Sequence, residues 1–275
     1  MKKKITVSLL FSVLTVSFCN AQFIHFADPN LEKAIVNSHI KIDLNNDKKI
    51  DTAEANKATT VLIGYSNIIS LKGLEQFPNL KILDCTHTDL QNVVLEKFPH
   101  LEHIVLSSNK LKQLLINDCP KLLSILCDDN SLRSLKLDGF KKLETVWCSY
   151  NKLEELVFTN CPSMENIYCS HNFIKGINLT SLINLVDFRC QNNLLSKIDI
   201  KHCPRMQMLY CDDNPKLEVL YLKNGLRPGM MAYFMFFANC LKLKDIYVDN
   251  EQTEIDEIRD KIKSYKRNDI KVHIQ

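Results

Sequence analysis

No stretch of this chain is long and apolar enough to cross a bilayer as a helix. The greasiest, Ile5 to Val16, falls well short of the roughly 20 residues that a span needs. Glycine is scarce, 6 among 275 residues, so a collagen repeat is excluded. No phosphate loop, G-x-S-x-G or H-E-x-x-H motif occurs, and nothing announces a nucleotide enzyme, a serine hydrolase or a zinc peptidase. The absence of any C-x-x-C pair removes the usual framework for zinc. An excess of charge is missing too. The 35 Lys and Arg stand against 32 Asp and Glu, and three of the cations are Lys2, Lys3 and Lys4. Without those three the chain is balanced, which argues against nucleic acid or an anionic membrane as partner. With 45% hydrophobic residues, enough remains for a sizeable core.

Those three lysines, the run Ile5 to Val16 and the sequence Cys19-Asn20-Ala21-Gln22 are the three parts of a secretion signal. We expect residues 1–21 to be removed after Ala21, leaving an exported chain that begins at Gln22. Phe18 stands where lipoprotein signals carry a small residue, so a lipid on Cys19 is the lesser expectation.

Beyond the signal the dominant feature is a period of 21. Cys85, Leu106, Cys127, Cys148, Cys169, Cys190 and Cys211 form one row, and Asn109, Asn130, Asn151, Asn172, Asn193 and Asn214 form another, headed by Thr88. Ile104, Ile125, Val146, Ile167, Phe188 and Leu209 keep the same step. Such rows mean stacked identical turns. Alternate residues of a short strand face opposite ways, so the Ile and Cys rows point inward together. The Asn amides turn the chain and bond backbone groups that stacking would otherwise bury unpaired.

Each unit reads L-x-x-I-x-C-x-x-N-x-L, as from Leu122 to Leu132. This order resembles the leucine-rich-repeat signature, in the short bacterial form of the internalin type that carries Cys in the last strand position. The resemblance covers about residues 24–250. It implies an α/β repeat solenoid with a parallel β-sheet, a helical N-terminal cap and a helical C-terminal cap. A parallel β-helix is the rival, and the motif order favours the leucine-rich repeat.

The expected organisation is a signal peptide (1–21), an N-terminal helical cap (22–58), the repeat array (59–249) and a C-terminal cap (250–275). Asp28-Pro29 opens the first helix, with Leu31, Ala34 and Ile35 at helical spacing. Near the far end, Cys211 to Val248 reads as one unit plus an insert, about 223–239, whose run Met230 to Ala238 is expected to fold as a helix over the last turns. Thr253 to Asp256 resembles a capping box, Ile255, Ile258 and Ile262 give a helical stripe, and Lys271 to Ile274 reads as an edge strand.

Two chemistries remain open. Asp43, Asn45, Asp47, the Lys49 carbonyl, Asp51 and Glu54 match the EF-hand spacing for calcium, although Lys48 replaces the glycine of such loops. The competing reading is a loop held by its own hydrogen bonds. The cysteines trade places with Leu106 in one row, and Cys119, Cys161 and Cys203 trade with Phe98, Phe140 and Leu182 in another. They are expected to be buried free thiols acting as small hydrophobes. Cys169 and His171 are not expected to meet.

The outward rows carry the functional expectation. One runs Val105, Leu126, Trp147, Tyr168, Arg189, Tyr210, and a parallel one includes Tyr150 and His171. The chain's one Trp beside Tyr and Arg has interface composition. Aspartates 128, 129, 212 and 213 flank the strip and disfavour anionic partners. The expected function is non-catalytic recognition of a protein or glycan outside the cytoplasm. The alternative is a structural component of the cell envelope.

Overall fold

The computed structural model describes residues 22–225 and 234–274. Residues 1–21, where a secretion signal is expected, and the start of the apolar insert, Met230 to Tyr233, lie outside the described residues.

Each turn places a three-residue strand on the front of the solenoid. In chain order these are β1 (Thr60–Leu62), β2 (Ile82–Asp84), β4 (His103–Val105), β6 (Ser124–Leu126), β8 (Thr145–Trp147), β10 (Asn166–Tyr168), β11 (Asp187–Arg189), β13 (Met208–Tyr210) and β15 (Phe234–Phe236). They form one nine-stranded sheet, parallel throughout, with each strand beside its neighbour in the next turn. Register follows the sequence rows: Val146 pairs with Ile167, and Ile167 with Phe188. These central residues have no exposed surface, and the cysteine row behind them is equally closed.

The return path of most turns is also β-strand. It comprises β3 (Asn92–Glu96), β5 (Gln113–Asn117), β7 (Ser134–Asp138), β9 (Glu155–Thr159), β12 (Lys197–Asp199), β14 (Val219–Tyr221), β16 (Asp245–Val248) and β17 (Lys271–Ile274), in three short parallel sheets. The local cause is strict alternation. In β5, Leu114 and Ile116 face the core while Gln113, Leu115 and Asn117 face solvent.

A ladder of asparagines joins the turns. Asn172 Nδ2 donates to the carbonyls of Cys148 (3.0 Å), Cys169 (3.1 Å) and Ser170 (3.2 Å), and its Oδ1 accepts from Leu153 N (2.8 Å). Asn130, Asn151, Asn193 and Asn214 repeat the pattern. Thr88 heads the row and donates its hydroxyl to Cys85 O and to Asn109 Oδ1. Cys240 ends it, with Sγ donating to Cys211 O at 3.2 Å. The residue before each rung has positive φ, including Ser108, Asp129, Tyr150, His171 and Asp213. All ten described cysteines are free and buried.

Helix α1 (Pro29–Val36) is capped by Asp28, whose carboxylate accepts from Asn30 N (2.9 Å) and Ile69 N (2.7 Å), tying the helix to the first turn. Helix α2 (Thr52–Lys57) begins on a capping box between Asp51 and Glu54. Helix α3 (Gln252–Ser264) buries Ile255, Ile258 and Ile262. Tyr265 just beyond it meets Phe237 edge-to-face at 5.2 Å. Among the described residues no helix is long and apolar enough to cross a membrane.

Two expectations about the C-terminal end are corrected. The described part of the insert is not helical: Phe234–Phe236 is strand β15, pairing with β13 so that Met235 lies opposite Leu209. The extra residues are spread over successive turns, each stepping by 26 rather than 21, as Leu220 to Ile246 and Ile246 to Val272 show. Alternation decides the matter. Met235 and Phe237 point inward while Phe234 is exposed, which is a strand pattern; the flat hydrophobicity of the segment hid it. The capping box expected at Thr253 is absent as well. Helix α3 starts earlier, from Glu251, and the buried Glu254 instead accepts from Asp249 N at 3.1 Å.

Candidate functional site

On the front sheet, residues at equivalent positions of successive turns stand about 4.8 Å apart, the spacing of stacked rings. Trp147 stacks on Tyr168 with centroids 5.3 Å apart. The Arg189 guanidinium lies 4.4 Å from the Tyr168 ring and 5.1 Å from the Tyr210 ring. Tyr210 stacks on Phe236 at 4.9 Å, and Lys261 Nζ from α3 closes the column 4.6 Å above Phe236. The result is one continuous column across five turns.

Its centre is fastened from below. Asp187 is 4% exposed, and Arg189 grips it with Nη2 to Oδ2 at 2.8 Å and Nε to Oδ1 at 3.2 Å. The Tyr168 hydroxyl donates to Oδ2 at 2.9 Å. The pairing raises the Arg189 pKa; burial, then the bond to Asp187, raises that of Tyr168. Arg189 is therefore committed within the fold and not free to receive a partner's carboxylate. Asp187 was missed as a functional residue, although its row was visible: His103, Ser124, Thr145, Asn166 and Asp187 keep the 21-residue step and are all polar. Phe236 was missed because a fixed step of 21 does not reach it.

Beside the column runs a second row at the positive-φ corner. There Tyr150 stacks on His171 at 4.3 Å. Between the rows lies a shallow groove of about 560 Å³, floored by Ser149, Ser170 and Gln191 and walled by Tyr168, Arg189 and His171. Ser170 Oγ donates to Gln191 Oε1 at 2.6 Å. Asp212 lines the groove toward one end, and Asp128 stands one turn beyond the Ser149 end; Oδ1 of each accepts a neighbouring backbone N–H, from Ala238 (2.8 Å) and Ser149 (2.7 Å). Burial pushes the Asp128 pKa up to about 6 and raises that of Asp212. Trp147, Tyr168, Arg189, Tyr210, Tyr150 and His171 thus lie on one face. Cys169 lies apart from them, fully interior, with burial raising its thiol pKa, while His171 is exposed.

The Asp43–Glu54 loop is arranged differently from a gathered ring of ligands. Glu54 Oε1 accepts from Leu44 N (2.7 Å) and its Oε2 from Asp51 N (3.0 Å); Asp43 Oδ2 accepts from Lys48 N (3.0 Å). Asn45 and Asp47 also accept from loop amides. Among the described residues no three His, Cys, Asp or Glu side chains are grouped to hold a metal. One feature does fit a cation: Asp43 is 6% exposed and its Oδ1 is buried without a hydrogen-bond partner. Lys48 adopts φ 67°, the turn for which such loops use glycine.

No family model matches the chain, and no curated protein matches it. Solved structures do. The functional domain of InlJ from Listeria monocytogenes, described as including a cysteine ladder, aligns with TM-score 0.50 and 16% identity over 82% of this chain. This chain spans about half of that domain, 55% of its length. Internalin C2 from the same organism aligns with TM-score 0.52 and 15% identity, covering 81% of this chain and 94% of that one. The leucine-rich-repeat domain of APL1B aligns with TM-score 0.51 and 21% identity, covering 72% and 64% respectively. The fold is thus a parallel-sheet solenoid matching leucine-rich-repeat proteins, with turns of about 21 residues over most of its length.

Proposed function

We propose that this protein is a non-catalytic, exported recognition module that binds a protein partner through the front strand face. The carrying observation is the column Trp147–Tyr168–Arg189–Tyr210–Phe236. It sets aromatic surface beside a groove with hydroxyl and amide groups, the mixture that protein interfaces favour. A protein suits this face better than a glycan. Sugars pack against open ring faces, and here most ring faces are covered by the next member of the column. Export rests on the sequence of residues 1–21. The back sheet carries a shorter stack, Tyr221–Tyr247–His273. The strand-face reading is preferred over a purely structural envelope role because the front column runs through five turns and lies beside a groove.

The test compares baits for capture from the native host: wild type, Trp147→Ala and Lys136→Ala, the last on back strand β7. Trp147→Ala is expected to lose the captured partner, at about 2 kcal/mol of binding, while the two other baits retain it. Equal capture by all three would refute the assignment. Arg189→Ala is unsuitable, because it strands a buried carboxylate.

We also propose weak calcium binding by Asp43, Asn45, Asp47, the Lys49 carbonyl, Asp51 and Glu54. The buried, unpartnered Asp43 Oδ1 favours it. Calcium would compete with loop amides for the other oxygens, which places the affinity near the roughly 0.1–1 mM of extracellular modules.

A further inference from the structure

The front face is one-sided in charge. Its three outward strand rows and the positive-φ row beside them contain Asp84, Asp128, Asp129, Asp187, Asp212 and Asp213, with no lysine and no glutamate. Arg189 is the only arginine there, and it is spent on Asp187. Lys261 reaches the end of the column from α3 but is paired with Glu257 at 3.4 Å. Most of the chain's cations lie elsewhere, as Lys136 of β7 and Lys197 of β12 illustrate. Two acidic pairs bracket the strip: Asp128–Asp129 one turn beyond the groove's Ser149 end, and Asp212–Asp213 in its lining toward the other, where Lys261 also acts on Asp212.

Resting on the strand-face reading, we propose that the groove takes an extended segment of a basic partner protein, with two cationic side chains about six residues apart. The spacing follows from the sheet. Asp128 belongs to the turn of β6 and Asp212 to that of β13, four strand steps away, or about 19 Å. Extended chain advances about 3.3 Å per residue, so six residues span the gap. Six is an even number, so both side chains leave the segment on the same side and enter the two acidic ends together. Between them Ser149, Ser170 and Gln191 present polar groups to a peptide backbone, and the walls of Tyr168 and His171 receive apolar side chains.

Seven-residue fluorescent peptides of alternating Ser and Val test this by anisotropy. One carries Lys at its first and seventh positions, one Lys at its first and sixth, and one Glu at its first and seventh. Asp129→Asn with Asp213→Asn is the matching protein variant. Both positions have positive φ (54° and 56°), which Asn tolerates, so the fold is retained. The first peptide is expected to bind best, the second about fivefold more weakly, and the third not at all; the double variant should weaken the first by about tenfold. Equal binding of the two lysine peptides, indifference to the double variant, or no binding of either lysine peptide overturns the inference. Trp147→Ala separates the two ideas. If it abolishes binding of every peptide while the double variant matches wild type, the face binds segments but the charge rule is wrong. If only the double variant loses binding, the charge rule holds but the Trp147 column is not the contact, and the column no longer carries the proposed function.

Discussion

Replacing Asn172 by Ala takes one rung from the ladder that joins the turns. Asn172 is 5% exposed and serves four backbone groups. Two of these belong to the preceding turn: the Leu153 N–H, on a residue with no exposed surface, and the Cys148 carbonyl. The Cys148 carbonyl keeps Asn151 Nδ2 at 3.3 Å, so the substitution strands only the Leu153 N–H. A buried backbone group left unsatisfied costs about 1–3 kcal/mol, which places the penalty near ~2 kcal/mol. That is a sizeable part of the roughly 5–15 kcal/mol typical of whole domains. Thr at the same position should cost less, because Thr88 already fills the first rung with a single hydroxyl. Asn192→Ala is the control. That residue is exposed, and Ala at its φ of 55° costs about 1 kcal/mol. Urea denaturation followed by circular dichroism reads the difference. If Asn172→Ala is no worse than Asn192→Ala, the Leu153 N–H finds another acceptor and the ladder does not hold the turns together.

Other outcomes follow from the same geometry. Cys148→Ser puts a hydroxyl into a fully buried apolar row between Cys127 and Cys169 and should cost about 1–3 kcal/mol; in the native protein, thiol labelling should be slow until denaturant is added, and fast labelling of several cysteines would contradict the burial. Burial raises the Asp128 pKa to about 6, above its unfolded value, so its contribution is complete at acid pH and is lost as pH rises through about 6. Asp128→Asn, which keeps the acceptor for Ser149 N, should therefore raise the melting temperature at pH 7.5 relative to wild type, with the gap closing by pH 4. Lys48→Gly relieves a φ of 67° and should stabilise by up to about 1 kcal/mol. The same melts with calcium and with chelator test the loop: identical temperatures in both would show that it holds no ion.

The repeat was legible because every turn solves the same problem with the same residues. The central Ile and Leu positions, the cysteines and the asparagines each show one contact type repeated, so a 21-residue step exposes them. Legibility ended where the step changed. At Phe234–Phe236 a register of 26 carried the pattern, and the undifferentiated run of apolar residues looked helical until the sheet sorted Met235 inward and Phe234 outward. The calcium-type loop shows the same limit. Its spacing was plain in the sequence, but whether Glu54 faces an ion or its own amides depends on how the loop folds back on α2.

The sequence by itself determined the period, the inward rows and the face on which Trp147, Tyr168, Arg189 and Tyr210 lie. These depend only on alternation along a strand, which is local and repeats without reference to the rest of the chain. Only the tertiary structure decided what those side chains do to one another. Stacking parallel strands at about 4.8 Å turned separate rings into a column. It also brought the Tyr168 hydroxyl of the preceding turn onto the buried Asp187 and extended the column to Phe236 and Lys261 across irregular turns. Ring stacking and hydrogen bonds between turns act through space over a few ångströms, so they depend on register between turns, which the residues of one turn do not encode.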